Sequence, residues 1–298
     1  MFVTMKGSIF SLIAWQWRWV ILFSVTAIGV AYLHQEGHIT RTLPAMPLGV
    51  VGGAIGIFVS FRTNSCYQRW WEGRQLWGRL VNTSRHIASQ ARAYLDSDDV
   101  SVRRIVYRQV AYVHVLRVVL RQQTVLDDPA CQRFLTDDEK ALAKTSTNLN
   151  HALLSRHLED FVALAKDGKI DAWRLQSLDE SVRQLLDIQG GCERIKKTPF
   201  PRGYGFISER LIQAFAILFP LGIVGDLGWL SVPISLLVCM AFMLISEVGR
   251  VLEDPFNLFW NALPLAALSV TIEGNLRERL GDTDLPAPLQ PDKRGVLM

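Results

Sequence analysis

The sequence predicts an all-α membrane protein, with four transmembrane helices and a helical cytosolic region between the second and the third. Apolar residues are concentrated towards both ends of the 298-residue chain, whereas charged residues fill its middle. The middle repeats apolar residues every three or four positions, which is the pattern of amphipathic helices. No segment shows the sustained apolar–polar alternation that indicates a β-strand.

The first two spans are predicted in residues 1–61. About 20 mostly apolar residues cross a bilayer core, and AWQWRWVILFSVTAIGVAYL (14–33) and LPAMPLGVVGGAIGIFVSF (43–61) meet this requirement. The second span continues without a Gly or Pro break into FRTNSCYQRWWEGRQLWGRL (61–80), which is dense in Arg and Trp. We therefore expect one helix to leave the membrane and continue.

Residues 62–204 form the predicted cytosolic helical region. VRRIVYRQVAYVHVLRVVLRQQ (102–123) places apolar residues at helical spacing, and the stretch that begins at Thr136 does the same. Thr136 and Glu139 have the spacing of a capping box, in which each side chain accepts a backbone hydrogen bond at a helix start. Gly168 is expected to end this helix, and another helix begins near Ile170.

The last two spans are predicted within residues 205–250, as LIQAFAILFPLGIVG (211–225) and LSVPISLLVCMAFMLISEVG (230–249). The third span is short and contains Pro220, so a buried helix of a soluble domain is its alternative. Residues 251–298 form a cytosolic C-terminal segment, whose Pro-rich tail DLPAPLQPDKRGVLM we expect to be loosely attached.

Basic residues predict the orientation. Spans one and two are joined by HQEGHITRT, which holds a single Arg, whereas most other basic residues near the spans fall on the opposite side: Lys6, Arg62, Arg69, Arg74, Arg202, Arg210 and Arg250. Because an excess of Lys and Arg marks the cytoplasmic side, both termini and the middle region are expected in the cytoplasm. A net charge of +4 is typical of such flanks, and no nucleic-acid binding is expected.

No motif indicates catalysis, a cofactor or a metal. The sequence lacks GxSxG, GxGxxG, HExxH and a phosphate-binding loop, and none of its four cysteines forms a CxxC pair. Its acidic clusters precede or open predicted helices, where negative charge complements the helix dipole. We expect no enzyme activity, no cofactor and no metal ligand.

The second span offers a candidate pore. Its four glycines, at positions 49, 52, 53 and 56, suggest close approach of helix backbones. Gly53, Ile57 and Phe61 lie four residues apart and therefore share one helix face, which Ser65 and Gln68 extend with polar side chains. Several copies of this edge around an axis would form a narrow apolar neck, although the spacing equally fits ordinary core packing.

Four further segments carry a family resemblance. They are FRTNSCYQRWWEGRQLWG (61–78), QGGCERIKKTPFP (189–201), EVGRVLEDPFN (247–257) and LPLAALSVTIEGNLRE (263–278). In this order and at these positions they resemble the bestrophins, particularly the bacterial members. The resemblance implies a homopentameric channel for small monovalent ions in a bacterial plasma membrane, with four membrane helices per subunit around a central pore lined by the second helix.

The resemblance also implies where the pore narrows. The family's neck consists of three apolar positions, four apart, ending eight residues before the Arg of RWW, and here these are Gly53, Ile57 and Phe61. Gly53 departs from the bulky side chain usual in the family, so the upper neck is wider, or Val50 or Ala54 fills the gap.

Two further features follow from the same resemblance. A second constriction at the cytosolic exit is assigned to Ile170, with Trp173 as the alternative if the alignment shifts by one turn. Animal members have a calcium site built from an acidic run after their Pro-Phe motif; DPFNLFWNALP contains no such run, so no calcium activation is expected.

Four residues below the neck are assigned to pore and subunit packing: Arg62, Arg69, Trp70 and Trp71. Either arginine could face lipid headgroups, a carboxylate such as Glu72, or the lumen, and structural anchoring is the favoured role.

The ion selectivity stays open, because the family includes anion channels and its bacterial members can favour cations such as sodium. Two alternatives of other classes are a secondary transporter and a membrane-anchored scaffold without ion flux. A transporter would need ionisable residues near the membrane midplane, and only Arg18 and Glu247, near span ends, come close.

Overall fold

The computed structural model describes residues 15–96, 99–293 and 295–298, and the backbone alone of Arg202. Regular structure in this part of the chain is helical. In chain order the α-helices are α1 (Trp17–Gln35), α2 (Ala45–Tyr94), α3 (Val100–Leu120), α4 (Pro129–Phe134), α5 (Asp137–Thr145), α6 (Leu149–Lys166), α7 (Ala172–Lys197), α8 (Arg202–Leu227), α9 (Ser231–Leu252) and α10 (Leu265–Arg279). Short 3-10 turns occupy Val125–Asp127 and Gly228–Leu230.

The apolar segments of the sequence are helices long enough to cross a membrane. Three uninterrupted helical stretches meet this criterion: Trp17–Gln35, Ala45–Tyr94 and Gly203–Leu252. The third stretch contains α8 and α9, which the turn at Gly228 separates; Gly228 has a φ of +51°, which favours glycine. Four membrane crossings remain a prediction. Residue 14, where the first predicted span begins, and Lys6 lie outside the described residues.

The chain divides into two compact units. We call the described residues 15–70 together with Pro199–Glu253 the apolar unit, and Trp71–Thr198 together with Asp254–Met298 the polar unit. The predicted assignment of 1–61 and 205–250 to the membrane, and of 62–204 and 251–298 to the cytosol, stays a prediction. The expected continuity of the second span is confirmed: α2 is one helix of 50 residues, about 75 Å long at 1.5 Å per residue.

Within the apolar unit, α2 and α8 run in opposite directions. Near the start of α2, the backbone N–H of Leu43 donates to the carbonyl of Leu221, at 3.1 Å, late in α8. Further along α2, the ring of Phe58 stacks on Tyr204, early in α8, with centroids 5.8 Å apart. The contacts therefore proceed in reverse order along the two helices.

Helix α9 runs parallel to α2. An added Cβ at Gly56 would lie 3.4 Å from Phe242, and one at Gly249 would lie 3.0 Å from the hydroxyl of Thr63. Along these contacts the residue numbers of α2 and α9 increase together, whereas those of α2 and α8 run in opposite order. Helices α8 and α9 are therefore an antiparallel pair packed on α2, and α1 packs against both α8 and α9.

In the polar unit, α3 is the central helix. It packs against α4, α6, α7 and α10, and 15 of its 21 residues are buried. Its one buried arginine, Arg108, donates from Nε to Glu139, at 2.6 Å, and from Nη1 to Asp160. Burial of a charge is tolerated when it is paired in this way, so these contacts connect α3 to α5 and α6.

Helix ends in the polar unit follow the local sequence. The capping box predicted for Thr136 and Glu139 is confirmed at the start of α5, and Gly168 follows the end of α6 with a φ of +69°. Asp99 caps α3 through the N–H of Ser101 and accepts a hydrogen bond from Lys169 at 2.6 Å. The Lys169 ammonium and the Ser101 hydrogen bond lower the pKa of Asp99 to about 2.

The chain makes a few polar contacts with the helices just before and within its C-terminal tail, residues 284–298. Asp282 accepts hydrogen bonds from Tyr107, at 2.7 Å, and from Arg277, at 3.1 Å. The carbonyl of Met298 accepts from the backbone N–H of Ala267 at 3.2 Å. Within the tail, Asp284 pairs with Arg133 at 2.8 Å, and most described residues from Asp284 to Gln290 are exposed. The loose attachment expected from the sequence stays a prediction.

Candidate pore-lining helix

The predicted neck residues share an exposed edge of α2. Ile57 is 61% exposed and Phe61 is 69% exposed in the single subunit, and Gly53 lies on the same face one turn earlier. Large apolar side chains with this exposure need a lipid, a neighbouring copy or an apolar lumen to cover them. The edge is not part of the subunit's own core.

The opposite face of α2 fills the core of the apolar unit. Ile55 is 3% exposed and Val59 is fully buried, and both belong to a cluster with Phe23 of α1, Phe215 of α8 and Met243 of α9. This packing determines the rotation of α2 about its axis, and therefore the direction in which Gly53, Ile57 and Phe61 point.

The four glycines of the second predicted span divide between these two faces of α2. A Cβ at Gly52 would lie 3.1 Å from the ring of Phe215, and a Cβ at Gly56 would lie 3.4 Å from Phe242. These two glycines permit the close helix approach that the sequence predicted. Gly49 and Gly53 have no neighbouring atom within 4 Å of such a Cβ, so nothing in the subunit requires glycine there.

The gap at Gly53 has exposed neighbours on the same side of the helix. Val50 is 66% exposed, and Ala54 is also exposed. Beyond Phe61 the same side becomes polar, with exposed Ser65 and Gln68. The edge therefore changes from small and apolar, through bulky and apolar, to polar.

Arg62 lies directly after the neck but points into the apolar unit. Its guanidinium donates to the hydroxyls of Ser246, at 3.0 Å, and Ser208, at 3.2 Å, and Glu253 lies 3.9 Å away. The side chain is 2% exposed. An added Cβ at Gly205 would lie 3.0 Å from Nη2 of Arg62, so glycine leaves room for the guanidinium. Arg62 anchors α2 to α8 and α9.

The other residues assigned to packing have mixed environments. Arg69 donates from Nε to the backbone carbonyl of Glu253 at 2.8 Å, which ties α2 to the end of α9. The ring of Trp70 stacks on Tyr67 at 6.2 Å, and Trp71 is 47% exposed. Glu253 was missed by the sequence reasoning, although it lies in the quoted segment EVGRVLEDPFN.

The family-like segments meet along α2 in the polar unit as well. A Cβ at Gly73 would lie 3.1 Å from Pro255, and a Cβ at Gly191 would lie 2.8 Å from Leu76. The glycines of WWEG and QGGC therefore permit close contacts. Asp254 accepts hydrogen bonds from Lys196 Nζ at 2.6 Å and from the backbone N–H of Phe256 at 3.1 Å.

The two candidates for the cytosolic constriction differ in exposure. Ile170 is 4% exposed, whereas Trp173, in the first turn of α7, is 81% exposed. A side chain that narrows an opening must be accessible in the isolated subunit. Trp173 meets this requirement in the described conformation, and Ile170 packs into the polar unit.

A cavity of about 710 Å³ lies beside α2 in the polar unit, where Glu72 pairs with Arg194. Arg79 and Asp187 also line it, so positive and negative side chains balance there. In the part of the chain that the structure describes, no group of three His, Cys, Asp or Glu side chains could hold a metal ion. The cysteines of the polar unit are buried, which raises the pKa of the Cys131 and Cys192 thiols to about 12.

Known proteins resemble this chain over most of its length. It is 34% identical over 256 residues to the voltage-dependent anion channel-forming protein YneE of Salmonella typhi, covering 83% of this chain and 81% of that protein. The Escherichia coli K12 protein of the same name is 32% identical over 288 residues, covering 96% and 93%.

Solved structures also resemble this chain over most of its length. The crystal structure of a bacterial bestrophin homologue from Klebsiella pneumoniae superposes with a TM-score of 0.84 at 29% identity, covering 88% of this chain and 97% of that one. The family model described as Bacterial/Fungal Bestrophin protein matches residues 1–278. The chain belongs to the bacterial and fungal bestrophin family.

Proposed function

We propose that the chain is one subunit of an ion channel, in which α2 of each copy lines a central pore. The observation that carries this proposal is the exposed edge of Gly53, Ile57 and Phe61, whose opposite helix face fills the subunit core. In copies arranged around an axis, this edge contacts the neighbouring copies or lines the lumen. The relatives named as anion channel-forming proteins support the same function.

The proposed assembly is a homopentamer in a bacterial plasma membrane. Four helical segments cross the bilayer: α1, the first part of α2, α8 and α9. The Arg-rich ends of α2 and α9 face the cytoplasm, which places both termini there. Trp173 forms the cytosolic constriction in this proposal, with Ile170 as the alternative, because the exposed ring can reach an opening in the described conformation.

The neck controls conduction through its apolar surface. A narrow apolar constriction excludes water, and ions without a hydration shell do not pass. Ile57 and Phe61 supply the large apolar side chains of the neck. A wider neck at these two positions admits water and allows ions to pass. The channel passes small monovalent ions, and the relatives' names favour anions over sodium.

The contacts of the ionisable span residues favour a channel over a transporter. Glu247 is bonded to Arg250 near the end of α9, and Arg18 lies over the ring of Trp17 at the start of α1. Both groups lie near helix ends, whereas coupled transport needs ionisable residues near the midplane.

Planar-bilayer recording of the purified protein tests the proposal. We expect stepwise single-channel currents, and larger conductance or open probability for Ile57→Ala and Phe61→Ala, because truncation widens and wets the neck. Ile28→Ala is the matched control, since Ile28 is an exposed isoleucine on α1. Slow saturable flux would support a transporter, and the absence of any current would support a scaffold. Unchanged currents in both neck variants would remove α2 from the pore.

A further inference from the structure

An open cavity of about 470 Å³ lies in the apolar unit, where α1 begins and α9 ends. It lies beside the helix ends that carry the basic residues used above to assign the cytoplasmic side. This position corresponds to the headgroup level of the cytoplasmic leaflet. The residues that line it are Trp15, Gln16, Trp17, Arg18, Trp19, Glu209, Glu247 and Arg250.

The cavity contains charges of both signs, and only two of the four are paired with each other. Arg250 donates from Nε to both carboxylate oxygens of Glu247, at 2.8 Å each. In the described part of the chain, neither Arg18 nor Glu209 has an ion-pair partner within 4 Å, although Glu209 is near enough to Arg250 to interact with its charge. One guanidinium and one carboxylate are therefore available to a ligand, and such a ligand has balanced opposite charges.

The tryptophans indicate that the ligand comes from the membrane. Trp15 and Trp17 are 38% and 54% exposed, and exposed tryptophans are enriched at the headgroup level of bilayers. The guanidinium of Arg18 lies 5.6 Å from the centre of the Trp17 ring, so its position is supported by a cation–π contact. A cavity of this volume is within the usual range for small-molecule sites.

We infer that this cavity binds the headgroup of a zwitterionic aminophospholipid such as phosphatidylethanolamine. Arg18 donates hydrogen bonds to the phosphate, as arginine commonly does with phosphate oxygens. Glu209 accepts hydrogen bonds from the primary ammonium group. Phosphatidylcholine has no N–H to donate, and phosphatidylglycerol has no cation, so both lose the contact with Glu209. The inference rests on the membrane location of the apolar unit and not on ion conduction.

Native mass spectrometry of the purified full-length protein tests the inference. The protein is titrated with phosphatidylethanolamine, phosphatidylcholine and phosphatidylglycerol that have identical acyl chains. We expect phosphatidylethanolamine to bind about fivefold more tightly than phosphatidylcholine, which is the effect of one partly exposed ion pair. Equal affinities for these two lipids in the unmodified protein would overturn the inference.

Variants assign the preference to the two residues. Glu209→Gln should reduce the affinity for phosphatidylethanolamine to that for phosphatidylcholine and leave phosphatidylglycerol unchanged, whereas Arg18→Gln should weaken all three about fivefold. Asp226→Asn, at the far end of α8, and Arg210→Gln, near Glu209 but outside the cavity lining, are the matched controls. A preference that survives Glu209→Gln contradicts the assignment.

Two further outcomes are separable. Soluble glycerophosphoethanolamine should bind far more weakly than the lipid, and equal binding would indicate a soluble ligand and overturn the lipid assignment. Because the readout is lipid affinity, a missing preference in a conducting protein contradicts only this inference. A preserved preference in a protein without current contradicts only the channel.

Discussion

Gly52 and Gly53 are neighbours on α2, and replacing each by alanine should affect stability differently. A Cβ at Gly52 would lie 3.1 Å from Cζ and 3.2 Å from Cε2 of Phe215. That ring stacks on Phe219 at 5.0 Å and meets Phe242 edge-on at 5.7 Å. Alanine at position 52 must displace a ring that two other rings hold, whereas alanine at position 53 meets no atom within 4 Å.

The magnitudes follow from two effects. Replacing a helical glycine by alanine stabilises the helix by about 1 kcal/mol, and this gain applies to both positions. At Gly52 it is opposed by overpacking, which typically destabilises by about 1–3 kcal/mol. We therefore expect Gly53→Ala to raise the unfolding temperature by about 2–4 °C, and Gly52→Ala to leave it unchanged or lower it by several degrees.

Thermal unfolding of both variants in the same detergent measures this difference. A second substitution at position 53 tests whether this residue lines the pore. Gly53→Leu fills the open position on the neck edge, so we expect a lower single-channel conductance without loss of folded protein. If Gly53→Ala were as destabilising as Gly52→Ala, the edge would be tightly packed in the assembly. If Gly53→Leu left conductance unchanged, residue 53 would not line the pore.

Three further predictions concern stability and regulation. Arg62→Ala should destabilise the protein by about 1–3 kcal/mol, because the buried hydroxyls of Ser208 and Ser246 lose their charged donor. Exposed Arg210→Ala should change stability by less than about 0.5 kcal/mol, and similar denaturation midpoints for the two variants would contradict the anchoring role. Burial, and then the nearby charge of Arg108, lower the pKa of His157 from 6.5 to about 3. Between pH 6.5 and pH 3 only the unfolded state therefore gains a proton, and the free energy of unfolding should decrease by up to about 1.4 kcal/mol per pH unit as the pH falls. His157→Phe should flatten that slope, and an unaltered slope would assign it to other groups. Calcium chelation should leave the current unchanged, since Asp254 is already bonded to the protein, and a large reversible loss in chelator would reveal a calcium site.

Local signals in the sequence predicted several helix ends, although the single helix expected between Thr136 and Gly168 is two helices, α5 and α6, the second capped by Asn148. The capping box at Thr136 needs only two residues three apart, and the end of α6 needs only Gly168, so both were visible without tertiary information. The unbroken α2 was predicted because no Gly or Pro break separates the apolar span from the Arg- and Trp-rich segment. Signals of this kind act within one turn of helix.

Partners from distant parts of the chain were not predictable in the same way. The hydroxyls that bind Arg62 come from residues 146 and 184 positions later in the sequence, and Ser246 entered the sequence analysis only as part of the fourth predicted span. Glycine spacing in α2 could not show that Gly52 packs and Gly53 does not, because the rotation of the helix is set by Ile55 and Val59 in the core. Spacing likewise could not decide between Ile170 and Trp173, because it does not show which of the two side chains is buried.

The burial of Arg62 has a consequence for ion selectivity at the proposed neck. Between Met46 and Gln68 every exposed residue of α2 is uncharged, because the one charged side chain in this range, Arg62, is turned into the apolar unit. A neck without fixed charge impedes ions by withholding water, and this barrier does not depend on the sign of the ion.

Widening the neck should therefore alter how many ions pass without altering which sign is preferred. Ile57→Ala is expected to increase conductance while the reversal potential in a salt gradient stays equal to that of the unmodified channel. Charge-dependent selection is then expected outside the proposed neck. A shift of the reversal potential in Ile57→Ala would show that the neck itself discriminates between cations and anions.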